Sequence, residues 1–193
     1  MAGFNTERLE EALRVLGEVL TDRGLDHELV LIGGGSLLLL DHLERPTEDL
    51  DVVARVEGGA YVSAEPLPPQ LKEAAAEVGE LFALPPGWLN AGPASLLDLG
   101  LPEGFETRVS TRSYGSLTVH IAGRADQIAF KLYAATDQGP RSKHFADLKG
   151  LSPTSEELLW AARWARTHDP SEAFHDQLIQ ALEALGIHDA PDL

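Results

Sequence analysis

The stretch 29–56, LVLIGGGSLLLLDHLERPTEDLDVVARV, leaves the chain few ways to fold. Residues 29–32 form an apolar run too short for a helix and ended by Gly33, so they read as a buried strand. Residues 36–43 then read as a short buried helix and 50–56 as a second strand, with Gly58-Gly59 closing the unit. Asp49 and Asp51 stand where the second strand begins. Side chains two apart on a strand share a face, their Cα atoms ~6.6 Å apart. Carboxylates placed in this way reach one or two magnesium ions, hard cations that prefer oxygen ligands and bind substrate phosphates alongside. The stretch therefore predicts metal-assisted phosphoryl chemistry beside a glycine-rich turn.

Two other readings of that turn fail. A Walker loop needs a lysine after its last glycine, and none follows Gly35. A dinucleotide fingerprint needs a third glycine where Leu38 stands. It also needs an acid near the end of the second strand, whereas both aspartates precede VVARV. What remains is a turn whose backbone amides, with the Ser36 hydroxyl, hold a triphosphate.

The rest of the chain supplies the frame. Leu9, Leu13, Leu16 and Leu20 mark an amphipathic helix over 6–23, with Asn5 or Thr6 as its cap. A second helix is expected over 70–84, a loop at Trp88-Leu89-Asn90, and a short helical turn over 94–99. Residues 107–111 and 116–121 alternate as strands around Tyr114-Gly115. Helices are expected over 126–136, 143–151, 154–167 and 171–185. The fold class is α/β (α+β): a small mixed β-sheet flanked by helices, with a helical C-terminal part. Residues 1–125 read as the α/β core and 126–193 as a helical part packed on it.

Composition narrows the function. With no cysteine among 193 residues, disulfides, thiolate metal sites and cysteine nucleophiles are excluded. No apolar run approaches the eighteen or so residues of a membrane span, and a cytoplasmic setting is expected. The net charge of −16 opposes non-specific nucleic-acid binding. Between Arg108 and Lys149, however, seven basic residues face three acidic ones, a segment able to receive a nucleotide or one docked RNA end. His120 reads as a general base or as a hydrogen-bonded structural histidine. The other histidines lack metal-ligand spacing, and Ser110 and Ser113 lack triad partners.

Gly33-Gly34-Gly35-Ser36, a short helix, Arg45-Pro46-Thr47 and Asp49-Leu50-Asp51 together resemble the active-site signature of the DNA polymerase beta-like nucleotidyltransferases. They are most similar to the small bacterial branch near the AbiEii-type toxins. Further on, Lys131 within its helix and the segment Arg141–Leu148, with Lys143 and Asp147, resemble that branch too.

The resemblance implies transfer of a nucleoside monophosphate from an NTP to a hydroxyl of RNA or protein. Asp49 and Asp51 would hold Mg²⁺ (or Mn²⁺). The turn with Ser36 would hold phosphates beside Arg45 and Thr47, and Lys131 would neutralise phosphate charge. It also implies a possible toxin role with an antitoxin partner. A third carboxylate is usual on a later strand facing the pair, and neither 107–110 nor 117–121 carries one. The alternative is therefore a catalytically silent nucleotidyltransferase-fold module that binds nucleotide or protein.

Overall fold

The computed structural model describes residues 3–43 and 45–188. The chain divides between Ala122 and Gly123 into two compact units. The first is built on a mixed sheet, six-stranded among the described residues, in the order β3-β2-β1-β6-β5, with β4 also on β2. The strands are β1 (His27–Ile32), β2 (Leu50–Glu57), β3 (Ala60–Ser63), β4 (Leu89–Asn90), β5 (Ser110–Tyr114) and β6 (Leu117–Ile121). β1 runs antiparallel to β2 and parallel to β6, so the glycine turn leaves the sheet at its centre. The expected α/β class, mixed sheet and helical C-terminal part are all present.

One face of this sheet makes the core. Leu29, Leu31, Val52, Leu117, Val119 and Ile121 pack with Leu9, Leu13, Leu16 and Leu20 of α1 (Thr6–Asp22). Leu71, Ala74 and Val78 of α3 (Pro69–Leu81) join the same cluster. Asn5 starts α1 by accepting a hydrogen bond from the Arg8 N–H at 2.8 Å. Glu10 ties α1 to β5, accepting from the Tyr114 hydroxyl at 2.6 Å and pairing with Arg112. Burial first, then the Glu10 acceptor, push the Tyr114 pKa well above the ordinary tyrosine value.

Several elements differ from the sequence expectation. The helix after β1 begins at the glycines rather than at Ser36: α2 is Gly33–Leu39. Gly58 and Gly59, both at positive φ, do not end the unit but turn the chain into β3. Two such residues suit a two-residue hairpin because they match the twist of the strands. Trp88-Leu89-Asn90 is not simply a loop, since Leu89 and Asn90 pair in parallel with Leu50 and Asp51. The strand expected over 107–111 starts later, at Ser110, because Phe105–Thr107 forms a 3-10 turn that buries Phe105.

The second unit is helical: α5 (Arg124–Gln138), α6 (Lys143–Leu151), α7 (Ser155–His168) and α8 (Glu172–Ala184). Within the first unit, α4 (Ser95–Leu99) is the short turn expected near 94–99. A capping box starts α7, with Thr154 and Glu157 each satisfying the other's backbone N–H. Trp164 meets Phe130 edge-on at 5.3 Å between ring centres and touches Tyr133 as well, joining α5 to α7. No helix among the described residues is long and apolar enough to cross a membrane.

Candidate nucleotide site

Close approach explains the glycines. Gly33 has φ +81°, and a Cβ there would overlap the Asp51 carboxylate oxygen Oδ2. A Cβ on Gly34 would sit 2.9 Å from Thr47 Oγ1, and one on Gly35 would sit 2.6 Å from Leu50 Cδ1 and 3.1 Å from the Asp49 carbonyl oxygen. Each glycine thus faces a different residue of the Thr47–Asp51 segment. Glycine is an unfavourable helix residue, yet any side chain here would push the start of α2 off the carboxylates. That contact overrides propensity and explains why the helix starts three residues early.

The carboxylate segment is held from several directions. Phe4 and Thr47 exchange backbone hydrogen bonds of 2.6 and 3.2 Å, and the Phe4 ring packs on Trp88 at 5.7 Å. Thr47, almost fully buried, donates its hydroxyl to Asp49 Oδ1 at 3.3 Å. Asn90 donates to Asp51 Oδ1 at 3.2 Å. Asp49 and Asp51 are both half-buried, and their alternation with Leu50 and Val52 sends them away from the apolar core. Arg45 lies beside Gly34. Phe4, Trp88 and Asn90 carried no local signal in the sequence. Their part depends on pairing across dozens of residues.

Ser36 differs from its expected setting. It exposes no surface, and its Oγ has no hydrogen-bond partner among the described residues. A buried hydroxyl without a partner carries a desolvation cost. Ser36→Ala is therefore expected to raise folding stability by about 1 kcal/mol, read from denaturant unfolding. A loss of similar size would mean that the hydroxyl has a partner.

His120 on β6 shares the sheet face of Asp51, and strand spacing puts the two roughly 12 Å apart. Both of its ring nitrogens are engaged: Nδ1 with Thr111 Oγ1 at 2.9 Å, Nε2 with Glu28. That arrangement fits the structural reading of His120 better than a free base. An open cleft of about 610 Å³ beside it is lined by Glu28, Tyr61, Glu106, Thr111 and His120 among others.

Lys131, Arg141, Lys143 and Asp147 belong to the helical unit. Lys131 and Asp147 are both buried there and paired at 2.7 Å, while Arg141 and Lys143 are exposed. Three of the seven basic residues of the 108–149 segment are paired, each within its own unit: Arg112 with Glu10, Arg124 with Glu157 and Lys131 with Asp147.

The donor set fits a magnesium ion. Asp49 and Asp51 offer two half-buried carboxylates on one strand face, that of Asp51 set against Gly33 of the turn. No group of three or more His, Cys, Asp or Glu side chains able to hold a metal occurs among the described residues. One or two carboxylates, with the other oxygens from water and phosphate, is how magnesium is commonly held.

A mixed sheet with this glycine turn set against an Asp-x-Asp strand is consistent with the nucleotidyltransferase fold. The family model described as "Nucleotidyltransferase of unknown function (DUF6036)" matches residues 7–142, and the chain belongs to that family. The match takes in the turn, both aspartates, Lys131 and Arg141, and stops short of Lys143 and Asp147. Searches of curated proteins and of solved structures gave no match.

Proposed function

We propose that the protein is a metal-dependent nucleotidyltransferase that moves a nucleoside monophosphate from an NTP to a hydroxyl group. The reading rests chiefly on one observation: three successive glycines of the turn abut Asp51, Thr47 and the Asp49-Leu50 backbone. A phosphate chain lying on the turn would therefore meet the carboxylates directly. The acceptor hydroxyl loses its proton to water, and its oxygen bonds to the α-phosphorus as the bond to the bridging oxygen breaks and pyrophosphate leaves in line. Asp49 and Asp51 would hold Mg²⁺ (or Mn²⁺), which when bound offsets charge on the phosphates. Thr47 orients Asp49, and Arg45, beside Gly34, would offset phosphate charge. Contact with phosphate falls to the backbone of the turn before the enclosed Ser36 hydroxyl.

The acceptor is a hydroxyl of protein or RNA. The net charge of −16 and the internal pairing of Arg112, Arg124 and Lys131 favour protein over bulk RNA. Likeness to the AbiEii-type branch supports a toxin role, with an antitoxin as partner. Release of pyrophosphate from each NTP with Mg²⁺ and cell extract tests the reading, and Asp51→Ala is expected to lower it more than 100-fold.

A second reading, a silent module that binds NTP without transfer, is favoured by the amide of Asn90 beside Asp51, where no third carboxylate stands. Nucleotide binding with no pyrophosphate from any NTP would select it.

A further inference from the structure

Asn90 stands in register with Asp51 on the parallel pair of β4 and β2. The orientation of its amide follows from chemistry: the Gly92 N–H donates to Asn90 Oδ1 at 2.8 Å. A backbone N–H cannot accept, so the amide oxygen is committed to Gly92 and the NH₂ is left for Asp51 Oδ1. The frame that sets this amide does not depend on Asp51. The Leu50 N–H donates to the Trp88 carbonyl at 2.6 Å, and the buried Trp88 indole donates to the Ala75 carbonyl of α3 at 2.8 Å. Asp51 thus has one oxygen held from β4 and the other set against Gly33.

We propose that Asn90 is a positioning residue for Asp51. Its donor fixes the carboxylate's rotation, and its neutrality keeps the site at two carboxylates, so residue 90 sets the divalent-ion affinity. This rests on the metal–nucleotide reading above. Partners that orient a metal ligand typically change affinity about 10- to 100-fold when removed. An aspartate at 90 acts in the opposite direction, adding a third hard oxygen donor in register with Asp51.

The test is Mn²⁺ affinity of the full chain, measured by the paramagnetic resonance of free Mn²⁺, with and without each of the four NTPs. Thermal midpoints are recorded alongside. Asn90→Leu is expected to weaken Mn²⁺ binding about 10-fold or more, and Asn90→Asp to strengthen it severalfold over the parent. A purely structural asparagine would give losses in both variants that follow the thermal midpoints, and that result overturns the proposal. So does an Asn90→Leu protein that binds Mn²⁺ like the parent.

If the parent binds no Mn²⁺ under any of these conditions, the metal reading itself fails. The side-chain amide resonances of Asn90 in the metal-free protein then decide separately. They shift on Asp51→Ala if Asn90 holds that carboxylate, and stay in place if it does not.

Discussion

Lys131→Met is expected to destabilise the fold by about 3–5 kcal/mol, because it breaks a buried ion pair and takes the lysine's charge away from the buried Asp147 carboxylate. Lys131 is 3% exposed and Asp147 1% exposed, and the Nζ–Oδ2 distance of 2.7 Å joins α5 to α6. Desolvating two charges is expensive, so the pair adds little net stability over apolar side chains of similar size, whereas breaking it is costly. The double variant Lys131→Met/Asp147→Leu should therefore recover most of the loss. Urea unfolding of the parent, the single and the double variant checks both statements. If the double variant is as unstable as the single one, the loss comes from packing, not from the broken ion pair.

Gly33→Ala is expected to damage the site more than the fold. The left-handed backbone at φ +81° costs a residue with a Cβ roughly 1–2 kcal/mol. The added methyl group also overlaps the Asp51 carboxylate and forces it to move. A displacement of about 1 Å in a reacting constellation costs on the order of 100-fold in rate. Stability should thus fall by about 1–2 kcal/mol while NTP turnover falls by about two orders of magnitude. Measured together, the two separate this account from one in which Gly33 only shapes the backbone, where turnover would follow the fraction of folded protein.

What could be read in the sequence was what local spacing encodes. The leucine stripe of α1, the alternation of β6 and the capping residues Thr154 and Ser171 all act within a few residues, and the helices and strand they imply are present. The glycine turn and the aspartates lie in one short stretch, so their association was legible as well.

Other features depend on tertiary pairing. β4 is two residues long and exists because Leu89 and Asn90 find Leu50 and Asp51. No periodicity announces a strand that short. The early start of α2 is the reverse case, in which the local preference of three glycines against helix yields to their contact with the carboxylate segment. The Gly58-Gly59 hairpin did have a local signal, a glycine pair between VARV and AYV, but the strand after it is short and incompletely buried. Asn90 lies 39 residues from Asp51, beyond the reach of any spacing argument.

The most direct test follows the phosphorus atom. Each NTP, labelled in turn at the α- or the γ-phosphate, is incubated with Mg²⁺, the protein and cell extract. Acceptors are then separated into protein and RNA fractions. The account predicts α-label on the acceptor, γ-label only in pyrophosphate, and loss of acceptor label in both Asp49→Ala and Asp51→Ala. Label on the acceptor from the γ-position, or α-transfer that persists in both variants, would contradict it.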